Sequence, residues 1–269
     1  MKQYFSHQEK NNLNIWLTIA VCALVTITAV FSLINPQMVY STTELNHAYY
    51  PSDIGIVLFG LPVMILTLLL VWKGKFIGLL LWPGALFFLI YSYALYFFGI
   101  PFGYWTVMYF LIVVLSGIII ARVLQSINYK ECRSRYVEKI PTRFASIVLI
   151  FLGSIILLRT VVLVSSAVRI AQSMSQLDIA LWITDLCIAA PALLIVGIQL
   201  WRKKNFAIFA APGLLMQYII LSLGLLPVFY YQANGDLSKI DTGGLIVIVF
   251  MILFCLIPFI QLVKSIKRE

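Results

Sequence analysis

Two charged residues fall inside long apolar stretches of this chain, Arg159 and Asp185, and any chemistry is first sought there. A charge near the interior of a bilayer costs on the order of 3 kcal/mol or more unless it is paired or hydrated. Arg159 is the only charge between Phe144 and Val168, and Asp185 comes about one turn into the next apolar stretch. At about 1.5 Å per residue, two straight helices bring their heads to a common depth. Thr160, Thr184, Ser165 and Ser166 are placed to complete a polar cluster. Such a pair either ties two helices together or binds an ion or polar ligand, and a long arginine can also turn outward to the headgroups.

A second set of residues could shape a site without reacting in it. Pro62, Pro83 and Gly84 recur as Pro191, Pro212 and Gly213. A proline within a helix removes a backbone donor and crowds the preceding turn, which frees a carbonyl. An adjacent glycine lets another backbone or a ligand come close. Paired interruptions of this kind in two halves of a transporter point to its central site, and packing kinks are the alternative reading.

Other constellations carry less. Glu44 and His47 share a helical face, as half of a di-metal site would, but the motif has no second copy and no metal or other cofactor is expected. Tyr91, Tyr93, Tyr96, Tyr104 and Tyr109 crowd one end of two consecutive apolar stretches, where an interfacial belt is the ordinary explanation and an aromatic cavity the alternative. Gln199 and Gln217 are amides suited to bonding between helices. No Walker-type phosphate loop, no HExxH and no Gly-x-Ser-x-Gly occurs.

These residues must be positioned by membrane helices. The chain has 269 residues, 62% hydrophobic and 11% charged, against roughly 45–50% and 25% in soluble domains. Eight apolar segments emerge at about 13–34, 54–72, 76–98, 104–124, 144–168, 179–201, 206–230 and 243–263, each near the roughly 20 residues that a span requires. They are apolar on every side rather than alternating, so they are helices and not barrel strands. Gly99-Ile100-Pro101-Phe102-Gly103 supplies a tight turn between two of them. The outer connections fall at about 35–53, 99–103, 169–178 and 231–242.

The net charge of +9 is not spread evenly. Sixteen basic residues lie in five clusters: Lys2 and Lys10; Lys73 and Lys75; Arg122, Lys130, Arg133, Arg135, Lys139 and Arg143; Arg202 to Lys204; Lys264, Lys267 and Arg268. Arg169 and Lys239 fall on the other side. By the positive-inside rule both termini are cytoplasmic, in a cytoplasmic (inner) membrane. Anionic headgroups of the lipid bilayer are sufficient partners for the basic loops, and nucleic acid is not expected. Cys22, Cys187 and Cys255 fall in apolar segments and Cys132 in a basic loop, so no disulfide framework is expected.

Compared with itself at a displacement of 129 residues, the chain repeats: Pro62 meets Pro191, Trp72 meets Trp201, Lys73 meets Arg202, Lys75 meets Lys204, Pro83 meets Pro212 and Gly84 meets Gly213. The fold expected is therefore an all-α integral membrane protein, its eight transmembrane helices forming two four-helix repeats of parallel orientation, 1–130 and 131–269. At the same displacement Arg159 and Asp185 meet Val30 and Ile56, so a site on that pair is asymmetric. The function this implies is transport or permeation of a small solute, apolar or anionic. A non-transporting protein that senses, or assembles with a membrane-protein partner or a second copy of itself, is the alternative, and an intramembrane lipid-modifying enzyme a third.

Overall fold

The computed structural model describes residues 8–137, 140–170, 175–236, 239 and 241–267, and their side chains from Asn12 onward except that of Ile170. Lys2, His7, Lys139 and Arg268 lie outside the described residues. The described residues form, in order, α1 (Gln8–Ile34), α2 (Pro36–Val39), α3 (Thr43–Gly55), α4 (Leu61–Trp72), α5 (Phe76–Gly99), α6 (Tyr104–Ser126), α7 (Tyr129–Ser134), α8 (Thr142–Ile170), α9 (Gln176–Thr184), α10 (Ala190–Trp201), α11 (Asn205–Gln232) and α12 (Thr242–Lys264). Among the described residues there is no strand, only an isolated bridge between Tyr136 and Ile266.

Among the described residues eight helical stretches are long and apolar enough to cross a membrane. Their outward faces carry Trp16, Ile27, Leu66, Leu158, Val162 and Ile246 exposed, a surface suited to lipid rather than water. This is a multi-pass membrane protein. α5 and α11 form its centre, with 67% and 72% of their most apolar stretches buried, against 22% to 39% in the other six. The start of α1, the ends of α6 and α12 and the segment around α7 gather at one end of the bundle. Arg122 Nε donates to Asn14 Oδ1 at 2.8 Å, Val137 N donates to Ser265 O at 2.9 Å and Lys267 N to Arg135 O at 2.8 Å. We call this the basic end.

The second span is longer than hydropathy suggests, and the sixth matches it in form. The second is not 54–72 but Thr43–Trp72, so the connection expected at 35–53 is largely helical. Thr42 caps it, accepting from Leu45 N, and Pro51 lies within it. The sixth is Gln176–Trp201, capped by Ser175. Each contains one π turn, Ile56–Gly60 and Asp185–Ala189, where the backbone donor of Leu61 or Ala190 reaches back five residues to Ile56 O or Asp185 O. Pro62 and Pro191 follow directly. Each lacks the N–H that the fourth residue back would accept, and a widened turn relieves the crowding of its ring without ending the helix.

Pro83 and Pro212 lie inside α5 and α11, each of which runs on as one α-helix. Beside them the glycines bring the two central helices into backbone contact. A Cβ at Gly84 would lie 2.2 Å from the carbonyl oxygen of Gly213, and one at Gly213 would lie 3.0 Å from Gly84 N. What approaches these glycines is therefore a helix. Phe76 starts α5 at the basic end, so the contact lies roughly 12 Å into the bundle.

Candidate functional site

Two buried carboxylates stand at similar distances from the end opposite the basic one, Asp53 ten residues into the second span and Asp185 nine residues into the sixth. Each is met by a side chain from the span before it and by a tyrosine of α5.

Around Asp185 the partners are a cation and a phenol. Arg159 Nη2 on α8 lies 2.7 Å from Asp185 Oδ2, and Tyr91 on α5 donates to Asp185 Oδ1 at 2.9 Å. The pair is lopsided: the Asp185 side chain is 3% exposed and that of Arg159 57%. The carboxylate belongs to the core, whereas the guanidinium reaches it from the outer surface of α8. The threonines are not drawn into the pair. Thr160 donates to Ile156 O and Thr184 to Ala180 O, each on its own helix, and Ser165 and Ser166 likewise bond back to α8.

Around Asp53 the partners are hydroxyls. Ser32 on α1 and Tyr40 donate to Oδ2, and Tyr96 on α5 donates to Oδ1 at 2.9 Å. Asp53 is 2% exposed, and among the described residues no basic side chain pairs with it. Three donors converging on one carboxyl are what a buried carboxylate needs in place of a counter-ion. The second wall is aromatic, built of Tyr40, Tyr49, Tyr93, Tyr96 and Tyr109, with ring centroids 4.7–6.0 Å apart along the chain of contacts. Burial, with the Asp53 charge beside it, holds the Tyr40 hydroxyl well above the usual phenol range, so it acts as a donor and not an anion.

The tyrosines thus divide differently from a simple belt. Tyr93, Tyr96 and Tyr109 are buried against Asp53, Tyr91 binds Asp185, and Tyr104 alone of the five is fully on the surface. On α11, Gln217 and the Tyr218 hydroxyl are buried without a hydrogen-bond partner among the described residues. Glu44 and His47 lie in helix α3, not in a loop, and His47 packs edge-on against Tyr231. Among the described residues no three His, Cys, Asp or Glu side chains are grouped to hold a metal ion.

Asp53 escapes a hydropathy reading because Pro51-Ser52-Asp53 resembles a turn. The available signal was the helix start: Thr42 followed by acidic Glu44 marks an N-terminus about ten residues earlier, which places Asp53 inside the span. No known family matches the chain, and neither a characterised protein nor a solved structure is detectably similar to it.

Proposed function

We propose that this is a transporter- or permease-like protein of the cytoplasmic (inner) membrane, built of two four-helix repeats, 1–130 and 131–269, and moving a small solute past Asp53 and Asp185. The observation that carries the reading is the pair of buried carboxylates, one in each half of the chain, both bonded by tyrosines of the central helix α5. A structural bundle has no need of two desolvated acids, each costing several kcal/mol to bury before its partners compensate.

The repeat is supported by more than the matched residues. The π turns Ile56–Gly60 and Asp185–Ala189 stand 129 residues apart, as do the prolines after them, and Gly84 and Gly213 touch each other across the centre. Two like halves meeting at one point suit an axis along the membrane normal. In the second half the acid lies one turn later than in the first, so the two stations are related without being identical. The Gly84–Gly213 contact closes the bundle between these stations and the basic end. Moving solute toward the basic end requires that contact to part. Termini in the cytoplasm follow from the basic clusters at the basic end.

Reconstitution tests the reading. Proteoliposomes carrying an entrapped pH dye are challenged with amino acids, organic acids, quaternary amines and apolar amines in turn. Transport through the acid stations gives a change in internal pH or uptake of at least one class, lost in both Asp53→Asn and Asp185→Asn. Uptake equal to that of protein-free vesicles for every class, or unchanged by both variants, contradicts it.

A further inference from the structure

The hydroxyl cage of Asp53 is satisfied in either of two protonation states, and we propose that Asp53 is a reversible proton-binding site within the membrane.

The hydrogen bonds supply the argument. Two of the three donors have a second acceptor already in place. Ser32 Oγ lies 2.9 Å from Ala29 O as well as beside Asp53 Oδ2, and Tyr96 Oη lies 3.3 Å from Tyr49 O as well as 2.9 Å from Asp53 Oδ1. A hydroxyl has one proton to give and lone pairs to receive one. With Asp53 ionised, Ser32, Tyr40 and Tyr96 all donate to it. When one proton arrives from water it forms an O–H bond on Oδ1, and that O–H donates to Tyr96 Oη. The Tyr96 proton then turns to the Tyr49 carbonyl while Ser32 and Tyr40 remain on Oδ2. The carboxylate charge goes from minus one to zero, and release reverses each step. Alternatively the proton resides on Oδ2, Ser32 accepts, and the Ser32 proton turns to Ala29 O. No buried donor or acceptor is left empty in any of these arrangements, and no side chain has to move.

The surroundings favour this use. The groups facing Asp53 from each packed element are Ser32 of α1, Tyr40 before α3, Tyr96 of α5 and, one layer out, Tyr93 of α5 and Tyr109 of α6. Tyr49 on its own helix gives its hydroxyl to Leu95 O, Tyr93 shares its hydroxyl with Thr28, and His47 is turned to Tyr231 of α11. Among the described residues none of these neighbours carries a fixed positive charge that would hold the anion permanently. Asp185 is the contrast. Its Oδ2 faces a guanidinium, which only donates, and among the described residues Tyr91 makes no second bond, so that site suits the ionised form.

The proposal deepens the transporter reading, on which it rests for the use made of the proton, and equilibrium protonation is measured apart from flux. The chain in lipid films is titrated by infrared spectroscopy from alkaline to acid pH. The exposed carboxyls give a common background, so the signal is the carboxylic C=O band in the difference between wild type and variant: it is expected to appear reversibly, to be absent in Asp53→Asn and to persist in Asp185→Asn. Tyr96→Phe and Ser32→Ala keep the carboxyl, and each is expected to shift the band frequency by altering the bond to the acid proton. A titrating band that Asp53→Asn and both cage variants leave unchanged, or no titrating band in the wild type, overturns the proposal. Flux without such a band would refute proton binding and spare the transporter reading; the band without flux would do the reverse.

Discussion

Removing Arg159 should destabilise the protein more than removing Asp185, and removing both should be milder than removing Arg159 alone. The asymmetry comes from burial, since the carboxylate is 3% exposed and the guanidinium side chain 57%. Arg159→Ala leaves Asp185 charged, buried and held only by Tyr91. Breaking a buried pair in this way costs about 3–5 kcal/mol, and the exposure of Arg159 reduces that to about 2–3 kcal/mol. In Asp185→Ala the arginine turns toward the headgroups and only the Tyr91 hydroxyl is stranded, which costs about 1–2 kcal/mol. The double variant leaves no unpaired charge and should resemble Asp185→Ala, so the two effects couple by about 2 kcal/mol. The assay is heating of the detergent-solubilised protein, followed by the fraction that remains monodisperse on gel filtration. At roughly 2–4 °C per kcal/mol, Arg159→Ala should lower the midpoint by roughly 4–12 °C, and adding Asp185→Ala should restore part of it. Additive losses in the double variant would show that the two side chains do not stabilise each other.

Three further outcomes follow from particular contacts. Gly84→Ala puts a Cβ 2.2 Å from the Gly213 carbonyl, so it should cost about 2–3 kcal/mol in the same melting assay, whereas Gly213→Ala at 3.0 Å should cost about 1 kcal/mol. Burial, with Glu131 beside it, pushes the Cys132 thiol up to about 12, so it stays a neutral thiol through pH 6–9 and should resist maleimide there, while Ser134→Cys at an exposed site of the same helix reacts. Equal rates at the two positions would contradict the packing of α7. Trp82→Phe loses the indole bond to Thr18 Oγ1 at 3.2 Å, and Thr18 keeps its own bond to Asn14 O. The expected cost is about 1 kcal/mol, and no change in midpoint would show that the bond contributes nothing.

The eight spans were legible because burial in lipid demands continuous apolar sequence, and a lone charge in such a run is conspicuous, so Arg159 and Asp185 stood out. Asp53 was hidden by the same rule. Its helix begins in polar sequence at Thr43, where hydropathy drops, and only capping chemistry marks the start. The tyrosines could be placed at one end of the bundle but not turned inward or outward, since a phenol suits both an interface and a core. The π turns leave no trace in hydropathy, because widening one turn alters hydrogen bonding and not side-chain polarity. The prolines that follow them are visible, and what they do to the ladder is not. Likewise Gly84 and Gly213 announced a close approach without naming the partner, which proved to be each other.

Whether Asp53 and Asp185 belong to a pathway opened alternately to the two sides is read from the accessibility of a thiol beside them. Cys22, Cys132, Cys187 and Cys255 are replaced by serine, Tyr91→Cys is introduced next to Asp185, and vesicles of both orientations are treated with a membrane-impermeant maleimide. Labelling is expected from either side, with the side facing the basic end losing its labelling when a cysteine crosslink between α5 and α11 holds the Gly84–Gly213 contact closed. Labelling from one side only, or from neither, would contradict it.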